Sequence, residues 1–337
     1  MIKPVGIKDI AARAQVSVMT VSRALRNVEG VSESKRTQIK SIATELGYIP
    51  NFNARSLVSD NSGLIGISFP TLFNDVFAEV LEGFQSTVDT VGLTTVVNTS
   101  CYDPKKERKW IEHLLSWCPA GLVLTGVDHA LGLAEMVKSS GVPCVETWDI
   151  TNTPIDSCVG IDHTLAGWKL AEFATSLEYC RPGIVRLPVG YDPRLDKRME
   201  GISSYFATLT PTHKPTVSVQ DDKNSFRQGY LGTQDLMSNP QKPDVVFYVN
   251  DHVAFGGLAA CRDAGISVPD QVGIIGFNGL DISEATSQKL TTAFSPRRQI
   301  GVQAARNLIS RLNGVAPRSL TKLPVRISPG GTTRQPS

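Results

Sequence analysis

The 337-residue chain has no continuous apolar run of the length that a signal peptide or a membrane span requires, and its opening Met-Ile-Lys-Pro-Val-Gly passes at once into polar residues. A cytosolic location is expected, and a freestanding transport receptor, which would need export, is set aside. The six cysteines (Cys101, Cys118, Cys144, Cys158, Cys180 and Cys261) include no Cys-x-x-Cys pair, which leaves no metal or redox cluster in view. They read as reduced thiols. No Gly-x-Gly-x-x-Gly or P-loop follows a candidate strand, no Gly-x-Ser-x-Gly elbow appears, no His-Glu-x-x-His helix is present, and the five histidines share no spacing. No metal, no cofactor and no enzymatic activity is therefore expected.

What remains is ordinary globular material, 41% hydrophobic and 20% charged, in a chain long enough for two or three domains. The net charge of +2 conceals a division. Through residue 60 there are nine Lys or Arg against five Asp or Glu, a net of +4, leaving 25 against 27 in the rest. A basic head on a slightly acidic body points to a polyanionic partner confined to one end.

Three short helices are predicted in that head. In "IKDIAARAQ", Ile7, Ile10, Ala11 and Ala14 recur at i, i+3, i+4 and i+7, one face of a helix. Ser17 is placed to cap a second, from Val18 to about Arg26, with Val21, Ala24 and Leu25 inward. A third starts at the Ser32 cap and runs through Ile39, Ile42, Ala43 and Leu46 to Gly47. Two helices at a tight turn on a basic three-helix unit describe a helix-turn-helix, whose second helix offers its N-terminal residues to the major groove. Arg23 has the forked donors that suit guanine O6 and N7, and Thr20 and Ser22 suit phosphate. Val18 and Met19 are the open question, because they stand where hydrogen-bonding side chains would be sought. Packing is one reading of Val18; recognition of thymine methyls is the other.

The residues "IKDIAARAQVSVMTVSRALRN", "VSESKR" and "ELGYIPNFNARSL" resemble the N-terminal module of the lac and galactose repressor family. That resemblance implies a hinge after Pro50 that becomes a short helix on the operator and wedges Leu57 into the minor groove; linker packing is the plainer role for Leu57. The set it implies at DNA is Ile7, Ser17, Val18, Met19, Thr20, Ser22, Arg23, Arg26, Ser32 and Lys35 from the head, with Asn53, Ala54 and Leu57 from the hinge. The boundaries expected are 1–50 for the head, 51–61 for the hinge and 62–337 for the body.

The body alternates apolar runs such as "LIGISFP", "AGLVLTG" and "VGIIGFN" with amphipathic stretches at about 75–91, 105–117, 130–140, 163–178, 194–209, 224–239, 251–264 and 297–313. Ten candidate strands in this rhythm argue for α/β architecture with parallel sheets covered on both faces. The resemblance, here carried by "NDHVAFGGLAACRDAGISVPDQVGIIGFN", implies a periplasmic-binding-protein-like body with two parallel-sheet lobes, about 62–161 with 292–321 and about 162–291 with 322–337. Ligands of open α/β sheets sit beyond the carboxyl ends of the strands, hence in the cleft between lobes. Within the family, "FPTLFNDVFAEVLEGF", "LLSWCPAGLVLT" and "GFNGLDI" are most similar to gluconate-operon repressors.

Strand ends supply the candidate effector residues: Asn74, Phe77, Glu146, Trp148, Asp162, Arg194, Arg198, Asn250 and Asn278. Amides and acids suit a polyol, and an arginine suits its carboxylate, with Arg194 the first choice and Arg198 the second. Asn250 and Asn278 could equally be caps, Arg198 a surface charge and Trp148 core. The family position for an acid that binds neutral sugars or purines is Asn278 here, which favours an anionic ligand. The function implied is a repressor binding a pseudo-palindromic operator as a homodimer and released by a sugar acid such as gluconate. Alternatives are a neutral-sugar or nucleobase effector, or a sugar-metabolising enzyme with a DNA-binding head. A dimer rather than a tetramer is expected, because the chain ends soon after Gly331 without a leucine heptad.

Overall fold

The computed structural model describes residues 5–48, 62–73, 75–209 and 214–335. The chain forms two units that part between Ser62 and Gly63. In the first, α1 (Ile7–Ala14), α2 (Val18–Leu25) and α3 (Glu33–Glu45) close on a core of Ile10, Ala11, Ala14, Val21, Ala24, Ile39, Ile42 and Ala43. Gln15 ends α1 in the left-handed region, at φ 54°, so the chain turns in three residues. Ser17 then caps α2, its Oγ accepting the Thr20 amide at 3.1 Å. The amide of Tyr48 reaches back to the Ala43 carbonyl at 2.9 Å, and Gly47 takes the positive φ of 64° that this C-terminal closure requires. Ser32 stands at the N-cap of α3, but its side chain makes no capping bond. Arg36 does the work there instead, donating to Asn27 Oδ1 and to the carbonyls of Val28 and Val31, and so fastening the α2–α3 loop.

The second unit begins with β1 (Leu64–Phe69), α4 (Asp75–Val88), β2 (Thr94–Thr99), α5 (Pro104–Leu115), β3 (Gly121–Thr125), α6 (Leu133–Ser140), β4 (Cys144–Trp148) and β5 (Ser157–Gly160). It continues through α7 (His163–Ser176), β6 (Pro182–Arg186), α8 (Pro193–Leu209), β7 (Thr216–Val219), α9 (Ser225–Ser238), β8 (Val245–Tyr248), α10 (Asp251–Asp263), β9 (Gly273–Asn278) and β10 (Thr291–Phe294). It closes with α11 (Arg297–Leu312), β11 (Leu320–Lys322) and β12 (Arg326–Ser328). Two six-stranded sheets result, ordered β11-β5-β4-β3-β1-β2 and β12-β10-β9-β8-β6-β7. Strands β3, β4, β8 and β9 are buried along their whole length, as parallel strands covered on both faces must be.

Three details differ from the expectation. Strand β10 pairs with β9 in the second sheet, so the return to the first lobe falls at Ser295 and Pro296, not near 291. Strands β11 and β12, three residues each, are too short to show any alternation in sequence. The pair β10 and β12 is antiparallel, which makes the second sheet mixed.

Neighbouring helices meet at backbone distance through reciprocal glycines. A Cβ on Gly167 of α7 would lie 2.0 Å from the Arg198 carbonyl, and one on Gly201 of α8 would lie 2.0 Å from the Thr164 carbonyl. Only hydrogen fits, so α8 is pressed against α7 at the level of the cleft. Gly83 with Gly301, and Gly229 with Gly256, do the same for α4 on α11 and α9 on α10.

Candidate nucleic-acid interface and ligand cleft

In the helical unit, the inward face of α2 is spent on Val21 and Ala24, both fully buried. Val18 and Met19 stand on its first turn at 41% and 61% exposure, so neither is core. Two apolar side chains held in solvent beside the N-terminus of a helix offer van der Waals contact but no hydrogen bond. Arg23 is exposed on the same helix, whereas Arg26 folds back to donate to the Ser22 carbonyl at 3.2 Å. Ser17 is occupied as a cap, Thr20 shares a hydrogen bond with it at 2.9 Å, and Ile7 is half-buried against the core. Ser22 and Lys35 are partly exposed and Ser32 is exposed. Asn53, Ala54 and Leu57, and with them the hinge expectation, lie outside the described residues, as does Asn74.

In the larger unit, α8 brings Arg194, Lys197 and Arg198 to one face by their i, i+3, i+4 spacing. Each cation has a different partner. Arg194 Nε donates to Asp192 Oδ1 at 2.6 Å, and although burial opposes its charge, Asp192 raises its pKa. Lys197 Nζ reaches across to the first lobe, 2.6 Å from Asp149 Oδ2 and 3.1 Å from Asp128 Oδ2. Arg198 meets no carboxylate among the described residues. Its Nη2 donates to the Val249 carbonyl at 3.2 Å, its Nη1 lies 3.5 Å from His163 Nδ1, its guanidinium sits 3.9 Å above the Phe277 ring, and Nε is buried without a partner. Burial, the largest effect, pulls Arg198 down to about 10 against the charge of Asp192, with Arg194 adding to the lowering. The group stays charged at neutral pH.

His163 explains part of this geometry. Its Nε2 donates to the Trp148 carbonyl at 3.0 Å, which leaves Nδ1 as the acceptor facing Arg198. Burial, then Arg198 and Arg194, depress its pKa well below the ordinary value, so the imidazole is neutral. Trp148 itself takes a left-handed backbone, φ 77°, and packs edge-on to Phe77 at 5.7 Å, with Phe77 against Phe69. At 4% and 3% exposure, Trp148 and Phe77 belong to the apolar floor more than to an open sugar platform. On the first lobe's side, Tyr102 adopts φ 61° and lays its ring 4.9 Å from Tyr191 of the second lobe. Burial first, then Asp192, raises its hydroxyl pKa, so it remains a neutral donor.

Four further expectations resolve individually. Glu146 leaves the cleft set: it shares a strand face with Cys144, which packs among α5 and α6, and its carboxylate accepts the Ile155 amide at 2.7 Å and pairs with His129 at 3.4 Å. Asp162 caps α7 through the Leu165 amide at 2.9 Å and binds Lys322 at 2.7 Å, tying two of the crossing segments together. Asn250 caps α10 through the Val253 amide at 3.0 Å, the plainer of its two readings. Asn278, at φ 115°, keeps a buried Oδ1 without a partner while its carbonyl accepts from Ser295 and Arg297.

Sequence reasoning missed Arg297. It is 2% exposed at the start of α11, paired with Glu79 of α4 at 2.8 Å and bonded to the carbonyls of Asn278 and Gly279 in the second lobe. Nothing in "SPRRQ" separates it from its exposed neighbour Arg298. Asp149, Asp192 and Lys197 were missed as well, although an acid two residues before Arg194 was a signal within reach.

Residues 6–51 match the sequence profile of bacterial regulatory proteins of the lacI family, and residues 177–333 match that of a periplasmic binding protein-like domain. The HTH-type transcriptional regulator GntR of Escherichia coli K12 is 33% identical over 97% of this chain and 98% of its own length. Among solved structures, a LacI-family transcriptional regulator from Silicibacter pomeroyi superposes with a TM-score of 0.91 at 32% identity, covering 98% of this chain and 100% of that one. The lac repressor dimer bound to operator and the anti-inducer ONPF superposes at 0.83 over 98% of this chain and 99% of that one, a likeness of fold at 23% identity.

Proposed function

The chain belongs to the lacI family of bacterial regulatory proteins, and from that membership we propose that it is a cytoplasmic repressor of sugar-acid catabolism genes, released from its operator by an anionic polyol such as gluconate. DNA-binding transcriptional regulation is the family's work, and α2 with its exposed Val18, Met19 and Arg23 is the reading helix. Two copies on a twofold axis, the state in which the lac repressor is seen on its operator, would meet two half-sites of a pseudo-palindrome.

The single observation supporting the acidic effector is Arg198. Arg194, Lys197 and Arg297 each have a carboxylate, whereas Arg198 is 4% exposed and has none among the described residues. A buried guanidinium in that state is matched by a ligand carboxylate, and it replaces Arg194 as the residue assigned to it. Asn278 Oδ1 and the Tyr102 hydroxyl face the remaining hydroxyls. Closing the lobes on such a ligand shifts an equilibrium between two dimer states, so ligand and operator must oppose each other by the same factor.

A thermal-shift screen of aldonic acids, keto-aldonic acids, neutral sugars and purines, with operator release measured on every hit, tests the reading. Gluconate or a near relative should raise the melting temperature and release DNA. Stabilisation by neutral sugars or purines alone would overturn the acidic-effector assignment.

A further inference from the structure

The loop between β3 and α6, residues 126–132, makes contacts in two directions. Toward the second lobe, Asp128 holds Lys197 of α8, and Gly126 comes so near Arg194 that a Cβ there would lie 3.6 Å from Nη1. Toward its own lobe, His129 is sunk between α5 and β4. Its Nδ1 lies 2.8 Å from Glu107 Oε2 and its Nε2 3.4 Å from Glu146 Oε1, with all three side chains buried. Arg108 adds a second tether, donating to the Leu131 carbonyl at 2.7 Å.

Two buried acids with an imidazole between them are an uneconomical way to fill a core. Burial pushes the imidazole down, but the hydrogen bond to Glu107 and the negative charge of Glu107 and Glu146 outweigh it and hold it at about 9. At neutral pH it is therefore an imidazolium, hydrogen-bonded to Glu107 through Nδ1 and within ion-pair distance of Glu146 through Nε2. The loop has no helix or strand of its own between Gly126 and Gly132, so these anchors decide where Asp128 stands.

We propose that His129 is the positioning residue of an inter-lobe latch: by pinning the 126–132 loop to α5 and β4 it sets Asp128 beside Asp149, where Lys197 of the second lobe is gripped, and so governs how readily the cleft closes. The role in effector response rests on the sugar-acid reading above; the latch itself does not. Lys197 loses little by keeping Asp149 alone, so the latch is a tuning element.

The test uses the full-length chain as H129Q, D128N and the double variant, with gluconate binding by calorimetry and hydrogen exchange of the 189–198 segment without ligand. Asp128 is half-exposed, so D128N folds normally. Each single change should weaken gluconate binding by about threefold to fivefold, the size of a partly exposed ion pair, and each should speed exchange of 189–198. The double variant should be no weaker than H129Q, because both act through one contact. Losses that multiply, or exchange that stays at the wild-type rate in H129Q, would overturn the proposal. If wild type binds no gluconate, the sugar-acid reading fails and the exchange comparison still decides the latch. Should H129Q not fold, E107Q removes one charge while keeping the shape of the cluster and enters the same comparison.

Discussion

Replacing Arg198 by Met separates a buried receptor for an anion from a buried structural ion pair. Folding brings the guanidinium down to about 10, and a displacement of that size corresponds to roughly 3 kcal/mol against the charged form. The sign follows from the direction: a base whose folded pKa is depressed is penalised at every pH below that pKa, and the penalty is relieved only as pH rises through it. R198M removes the penalty but leaves the Val249 carbonyl without its donor, which costs about 1–3 kcal/mol, and it substitutes a thioether contact for the cation on the Phe277 ring. The two sides nearly cancel. The melting temperature of the ligand-free protein should therefore stay level or rise, whereas breaking a buried ion pair would cost about 3–5 kcal/mol. Gluconate binding should fall by at least about 30-fold, the equivalent of about 2 kcal/mol for a desolvated charge contact. Calorimetric titration measures the affinity, and fluorescence anisotropy on operator DNA measures release; R198M should hold the operator at gluconate concentrations that free wild type. A variant that binds gluconate within threefold of wild type, or that melts as if an ion pair had been broken, would refute the counter-ion argument.

Two further outcomes are expected. R23A should remove most of the preference for operator over unrelated DNA at low salt, with an unchanged melting temperature, because Arg23 is exposed and a bidentate base contact is worth about 1–3 kcal/mol; competition binding checks it, and an unchanged preference would move base reading elsewhere on α2. The pH dependence of stability should contain a contribution from His129: its folded pKa, about 9, lies above the unfolded value, so the stabilisation is complete below about 6.5 and disappears as pH rises through the folded pKa. Urea midpoints between neutral and alkaline pH should fall more steeply for wild type than for H129Q, and parallel curves would show that the imidazole is not charged in the fold.

Much of the architecture was legible because the forces that shape single elements are local. The Ser17 cap, the apolar face of Ile10, Ala11 and Ala14, and the stop at Gly47 each involve residues a few positions apart, and the helices fell close to their expected spans. The same holds for α8, expected at about 194–209 and found at Pro193–Leu209. Beyond element length the signal fades: β11 and β12 are three residues each and exist only because a sheet edge receives them.

By itself, then, the sequence determined the helical head, its basic charge, the alternating strands and helices of the body, and the family likeness that joins them. The tertiary structure alone decided that Lys197 finds its acids, Asp128 and Asp149, 69 and 48 positions away, while the buried Arg198 beside it meets none among the described residues. It also turned Glu146 from the cleft to His129 and made Arg297 a link between lobes. Electrostatic partnership depends on distance in space and on burial, and neither is written in the spacing of residues along a chain.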